Sequence, residues 1–272
     1  MADQGDARSL RRGPLAGDAG GDGGVLPGSL HVVGARGDGP PLAGGPAAGA
    51  GAAVRGDRAA DGGVDDAAWP AIEERLRGVD AVAIGPGLGR APSTSAVVRR
   101  VVAESPVPVV LDADGLNAFA GDAGPLADRA APAVLTPHAG EFARLTGLSA
   151  DEIAADRLGH VRKAAEAWRC VVLLKGPRTL VVDPSGTARV NPTGGPALAT
   201  GGTGDVLTGT IAALAARGLA AFDAAAAGAY LHGASGDLAA ELEGEGTIAS
   251  DVASLLPDAV AGLAAGSGAQ TP

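Results

Sequence analysis

Four short apolar runs, at 81–84, 107–111, 133–135 and 170–174, recur along this chain with helix-length stretches between them. Each stops abruptly in a cluster of glycine and polar residues. Continuous apolar strands alternating with helices mark a mainly parallel sheet covered on both faces, so the pattern constrains the chain to a three-layer α/β/α fold. Ligands of such sheets bind beyond the carboxyl ends of the strands. Here Gly85-Pro86-Gly87-Leu88-Gly89 follows the first run and Asp112-Ala113-Asp114-Gly115-Leu116-Asn117 the second. Thr136-Pro137-His138 follows the third, and Lys175-Gly176-Pro177-Arg178-Thr179 the fourth. One such cluster would be a turn. Four in succession point to a shared cleft.

Between the strands the spacing predicts helices over 66–77, 93–104, 139–146 and 151–169, the last with Ser149 or Asp151 as its N-cap. Segments 179–183 and 187–191 flank Pro184-Ser185-Gly186 and read as a hairpin. A Gly/Thr-rich loop at 193–204 opens a helix over 205–217. Two alanine-rich helices follow, at 223–242 and 248–264.

Composition narrows the partners. The 272 residues suit one α/β domain with something extra, or two very small domains, and a hydrophobic share of 46% excludes wholesale disorder. A formal net charge of −10 argues against nucleic acid, whose binders present a basic patch or stripe. It leaves room for a small anion, which backbone N–H groups hold without net positive charge. The one cysteine, Cys170, allows neither an intrachain disulfide nor a cysteine-based zinc site, and reads as a small buried hydrophobe. No apolar run reaches the roughly 18 residues of a membrane span, and no basic-then-apolar signal pattern opens the chain. A cytoplasmic protein with no membrane partner is expected. Alanine-rich helices with few charges on one face point to a homo-oligomer.

Residues 1–64 stand apart. They hold 18 of the 45 glycines and lack Ile, Phe, Tyr, Trp, Lys, Glu and Asn. A GC-rich gene read out of frame yields that composition, which offers too little apolar surface to offset backbone ordering of roughly 1–2 kcal/mol per residue. The chain therefore divides into an atypical Gly/Ala-rich segment at 1–64, out-of-frame or disordered, and a domain at 65–272 whose N-terminal part is degraded or missing. The segment is expected to be irregular with one short strand at 30–33. That would leave one flank of the sheet uncovered, the cleft incomplete and activity low.

The strongest chemical signal lies in the loop. Gly201, Gly202 and Gly204 let successive N–H groups close on an anion, and the helix beyond adds its positive N-terminal end. Asp205, in that helix's first turn, is placed to take a proton from a hydroxyl as phosphate transfers. The plainer alternative is a Gly-rich connection with Asp205 as a capping residue. The loop's length and its join to an apolar helix favour the anion. It is neither a Walker A loop nor a GxGxxG turn. Lys175 either meets a nucleotide phosphate or is a solvated cation on a turn. His138 and Glu141 are either a cleft pair or a helix-terminal residue with its dipole partner. Asp112 and Asp114 form either an Asx-type turn or a polar cleft lining. His232 reads as a packed helix residue, and His31 gets no role.

Taken in order and spacing, the glycine turn at 85–89, the 112–117 cluster, Thr136-Pro137-His138-Ala139-Gly140-Glu141-Phe142, Lys175-Gly176 with Thr179, and the 199–209 loop resemble one family. It is the ADP/ATP-dependent NAD(P)H-hydrate dehydratase family, of ribokinase-like fold, and the resemblance covers 66–257. It implies repair of nicotinamide nucleotides: the S epimers of hydrated NADH and NADPH (NADHX, NADPHX) are dehydrated back to NAD(P)H while ADP, or ATP, is hydrolysed, with Mg²⁺ expected. By motif, Asp205 would be the general base and a substrate contact. Gly85, Gly87, Gly89 and His138 would hold the hydrated dinucleotide. Lys175, Gly176, Pro177, Arg178 and Thr179, with Gly201, Gly202, Thr203 and Gly204, would surround the nucleotide. No metal-ligating residue is carried over. The family often has a separate N-terminal epimerase domain, for which there is no room here, so any epimerase is expected to be a separate chain. The main rival is a vitamin-precursor kinase of the same fold. Such kinases commonly read Gly-Ala-Gly-Asp and Thr-Pro-Asn where this chain has Gly202-Thr203-Gly204-Asp205 and Thr136-Pro137-His138. An inactive nucleotide-binding relative is the remaining alternative.

Overall fold

The computed structural model describes residues 30–31, 33–35, 53–54 and 63–267. Strands β1 (Leu30–His31) and β3 (Ala53–Val54) form a separate antiparallel pair. The central sheet has seven strands in the order β2 (Val33–Ala35), β4 (Ala81–Ile84), β5 (Val109–Leu111), β6 (Ala133–Leu135), β7 (Val171–Leu174), β8 (Leu180–Val182) and β9 (Ala188–Val190). The four strands β4 to β7 run parallel, and the strands at either flank pair antiparallel. In register, Ile84 faces Leu111 and Leu111 faces Leu135, so three strands end level and their following residues open on one edge.

The expected strand at 30–33 is split between two sheets, and its second piece, β2, occupies the flank beside β4. Every β2 residue pairs with β4, which gives that edge its hydrogen-bonding partner. The remaining expectations for 1–64 lie outside the described residues.

Period-two alternation divides the strand residues between two cores. Val82, Ile84, Val109, Leu111, Leu135, Val172 and Leu174 face one side. There they meet α1 (Trp69–Leu76), α2 (Pro92–Glu104), α4 (Ala139–Thr146) and α6 (Arg157–Trp168) through Ile72, Val97, Val101, Phe142 and Trp168. Ala81, Ala83, Val110, Val134, Val171 and Leu173 face α7 (Thr203–Ala216) and α8 (Ala221–Glu243). Small residues on this second side let α7 lie close to the sheet. The three-layer α/β/α architecture is the one expected.

Three helix boundaries differ from expectation. The helix foreseen over 151–169 is two, α5 (Ala150–Ala155) and α6, because the Asp156 side chain accepts from Gly159 N at 2.8 Å and caps a new start. Ser149 caps α5 and forms a reciprocal box with Glu152. The last helix breaks at Leu255 into α9 (Ala249–Ser254) and α10 (Leu256–Ser267). Helix α7 starts at Thr203, so Gly204 and Asp205 both lie in its first turn. Among the described residues no helix is long and apolar enough to cross a membrane.

Candidate active site

The strand ends converge on an ion pair whose carboxylate is buried and whose ammonium is partly exposed. Asp112, at the end of β5 and 2% exposed, accepts from Lys175 Nζ at 2.7 Å, which reaches in from the end of β7. The same Oδ1 accepts from Ala113 N at 2.9 Å, and Oδ2 accepts from Thr208 Oγ1 on α7 at 3.0 Å. Ala113, the first residue of the short helix α3 (Ala113–Asn117), has φ +46°. A left-handed backbone at a non-glycine residue costs about 1–2 kcal/mol, and here it turns the chain so that the carboxylate caps α3. Glu141, buried in the first turn of α4, places Oε2 3.8 Å from Lys175 Nζ. Lys175 N donates to Pro137 O at 2.8 Å, which ties the end of β7 to that of β6.

The first turn of α7 closes on this pair. Gly202, with φ +88°, takes a conformation that a side chain would penalise. A Cβ on Gly204 would stand 3.3 Å from Asp112 Oδ2 and 3.4 Å from Lys175 Nζ. Thr203 Oγ1 donates to Leu198 O at 2.7 Å and Thr200 O at 2.9 Å, and Thr200 Oγ1 reaches Thr247 O at 3.2 Å. The loop is thereby laced to the helix it opens. Asp205 stays solvent-exposed at the rim of this cluster, its carboxyl partly shielded by the packing beneath it. Burial lifts its carboxyl above the usual range, the nearby Asp112 charge adds to this, and Lys175 opposes it. A carboxylate so placed is a competent proton acceptor.

On the far side, a Cβ on Gly85 would stand 3.0 Å from Asp112 O, so a side chain there would require the end of β5 to give way to the 85–89 turn. Gly89 N donates to Asp114 Oδ2 at 3.0 Å, and Asn117 Nδ2 donates to Asp114 Oδ1 at 3.1 Å. His138 is the N-cap of α4: its Nδ1 accepts from Gly140 N at 3.0 Å and Glu141 N at 3.3 Å, and Glu141 Oε2 accepts from His138 N at 2.8 Å. The helix-terminal reading of this pair therefore describes its geometry, yet the His138 side chain stays 55% exposed and reachable. Beyond β7, Thr179 Oγ1 donates to Gly176 O at 3.1 Å, and Arg157 Nη1 donates to Pro177 O at 2.8 Å. With Arg178 at φ +52°, these bonds make 176–179 a tight turn beside the ion pair.

Residues 59–258 match the NAD(P)H-hydrate dehydratase family. The chain belongs to this family. It is 51% identical over 193 residues to a bifunctional NAD(P)H-hydrate repair enzyme of Moorella thermoacetica, an alignment covering 71% of this chain and 36% of the relative. It is 41% identical over 180 residues to the ADP-dependent (S)-NAD(P)H-hydrate dehydratase of Neisseria meningitidis, covering 64% of this chain and 61% of that one. Among solved structures it resembles the ADP/ATP-dependent NAD(P)H-hydrate dehydratase of Bacillus subtilis co-crystallised with ATP/Mg²⁺, with a TM-score of 0.62, 36% identity, and coverage of 67% of this chain and 64% of that one. The match thus spans about a third of the bifunctional relative's length and under two thirds of the shorter relatives.

Within the family frame, Lys175, Gly204 and Asp205 stand together around Asp112. Gly201, Gly202 and Thr203 form the approach to α7, and the 85–89 turn and His138 flank the other strand ends. The motifs named Asp112, Lys175 and the loop that holds Thr208, but not their pairing. The Asp112–Lys175 pair joins residues 63 apart, and Thr208 reaches Asp112 across 96. His232 is packed in α8, as expected, but beside this site. Burial lowers its pKa, the Thr203 backbone opposes that, and Lys175 adds to it. The glycines at 233 and 236 were the available signal of close packing around it.

Proposed function

We propose that the chain dehydrates the S epimer of hydrated NADH or NADPH back to NAD(P)H at the expense of ADP, in the cytoplasm. On this reading 65–272 is the dehydratase domain, and 1–64 is an atypical segment from which β2 joins the domain's sheet and residues 59–64 fall within the family match. On the same reading the molecule works as a homo-oligomer. The observation that carries the proposal is the packing of the Gly204–Asp205 turn on the Asp112–Lys175 pair. A helix N-terminus and an ammonium there face one volume beside a carboxylate of raised pKa.

Hydroxide leaves carbon poorly, so the hydroxyl must first be made a leaving group. Asp205 takes the hydroxyl proton as its oxygen attacks the terminal phosphorus of ADP. An O–P bond forms, the phosphoanhydride P–O bond breaks, and AMP leaves. N–H groups of the α7 turn, with Lys175, stabilise charge on the transferring group. The nicotinamide nitrogen's electron pair then expels phosphate, and loss of a ring proton gives NAD(P)H. Magnesium belongs here to the nucleotide substrate. Asp112 and Glu141 already accept bonds from protein donors, and among the described residues no group of three or more metal-binding side chains forms a cage. An ion held chiefly by phosphates and water suits such a site.

Incubation with S-NADHX, ADP and Mg²⁺ should regenerate NADH absorbance and release AMP and phosphate in equal amounts. Phosphate appearing instead on a stable vitamin-precursor product would replace this reading with that of a kinase.

A further inference from the structure

Where helix α8 is buried it is built of small residues apart from Leu231 and His232, and His232 is the one of the two that carries ionisable nitrogens. The imidazole is 8% exposed, and its Nε2 is one of two buried side-chain polar atoms without a hydrogen-bond partner among the described residues. An unpaired polar atom in such a place lowers stability, and leucine would fill similar space without that cost. Something other than packing must favour histidine.

Its surroundings identify that role. Around His232, α8 grips the loop that leads into α7. Asn191 Nδ2 donates to Ala229 O at 3.0 Å and Thr193 Oγ1 to Tyr230 O at 2.9 Å, while Gly194 N donates to Asp237 Oδ2 at 2.9 Å. Gly233 leaves no room for a Cβ against Thr193, and a Cβ on Gly236 would sit 2.5 Å from Leu198 Cδ2. Within this grip the imidazole stands near enough to Thr203, the first residue of α7, and to Lys175 for both to act on its proton affinity, while Nε2 makes no hydrogen bond of good geometry.

We propose that His232 is a positioning residue of the nucleotide site, its unpaired Nε2 engaging the Thr203 backbone to hold the first turn of α7 when phosphate seats there. Functional hydrogen bonds of this kind tighten in the ligand complex. The inference rests on the proposed nucleotide site but not on the identity of the second substrate.

The test compares His232→Leu and His232→Asn with wild type in two measurements: calorimetric binding of Mg·ADP without any hydrated dinucleotide, and steady-state dehydration. His232→Leu should melt at or above the wild-type temperature yet bind Mg·ADP at least tenfold more weakly. Its KM for nucleotide should rise in step while that for S-NADHX stays put. His232→Asn, which restores a donor, should recover part of the affinity. Wild-type affinity in His232→Leu would overturn the inference, as would equal losses in both variants or a His232→Leu protein that no longer folds. A wild-type protein that binds Mg·ADP without dehydrating S-NADHX would overturn the proposed reaction, leaving His232 to be judged on affinity. One that binds no nucleotide would overturn both.

Discussion

Asp205 has two opposed consequences at the level of one side chain. Its raised pKa means that the fold favours the protonated form. That contribution is fully present below the ordinary carboxylate pKa and is lost as pH rises through the raised value. At neutral pH the charged group is therefore unfavourable to folding. Asp205→Asn should melt at or above wild type by calorimetry, while turnover falls about 10²–10⁴-fold, the usual contribution of a general base. Nucleotide affinity should be kept, because the preceding backbone holds the phosphate. Lys175 behaves otherwise. Its removal strands Asp112, 2% exposed, without its counter-charge. Lys175→Ala should lose about 3–5 kcal/mol in denaturant melts and raise the KM for nucleotide. Adding Asp112→Asn should restore most of the stability and none of the affinity. Glycines and a strand end marked Asp205 and Lys175 as candidates in the sequence, with Lys175 left open between a phosphate contact and a solvated turn residue. Asp112 stayed ambiguous, since its partner is 63 residues away and nothing local tells which strand ends will be neighbours.

For whole elements, α8 and the 191–198 loop that leads into α7 are closely packed and hydrogen-bonded. Gly236→Val would drive a side chain into Leu198, whose Cδ2 lies 2.5 Å from the Cβ position, and should destabilise by about 1–3 kcal/mol. Mg·ADP titration should show affinity lost with it. Gly246→Val, with open space within 4 Å, is the control and should leave ADP affinity as it is. Helices α2 and α4 could be read directly, because apolar spacing and, for α4, a Gly147 C-cap bound them. The α5/α6 break could not, because Asp156 fits a helix interior by pattern and shows its capping role only once Gly159 N is in place.

For the molecule as a whole, the parallel centre followed from four apolar runs, and the 179–191 hairpin from its turn residues. The β2 flank followed only in part: a strand was expected at 30–33, but not its split nor the extension to Ala35, because Gly34-Ala35 adds little apolar pattern and the segment depends on β4 for its bonds. Cys170, at the edge of β7 in the centre of the sheet, is wholly buried, and that burial pushes its thiol up to about 12. A thiol reagent at neutral pH should therefore leave the native protein unmodified and label it only as fast as the sheet opens, which mass spectrometry can follow in mild denaturant. That silence has a practical side. Because the chain's one native thiol is masked, a cysteine introduced on the exposed part of the 193–202 loop would take a fluorophore alone. The loop's movements could then be watched one molecule at a time, against a background in which every other residue is unaltered.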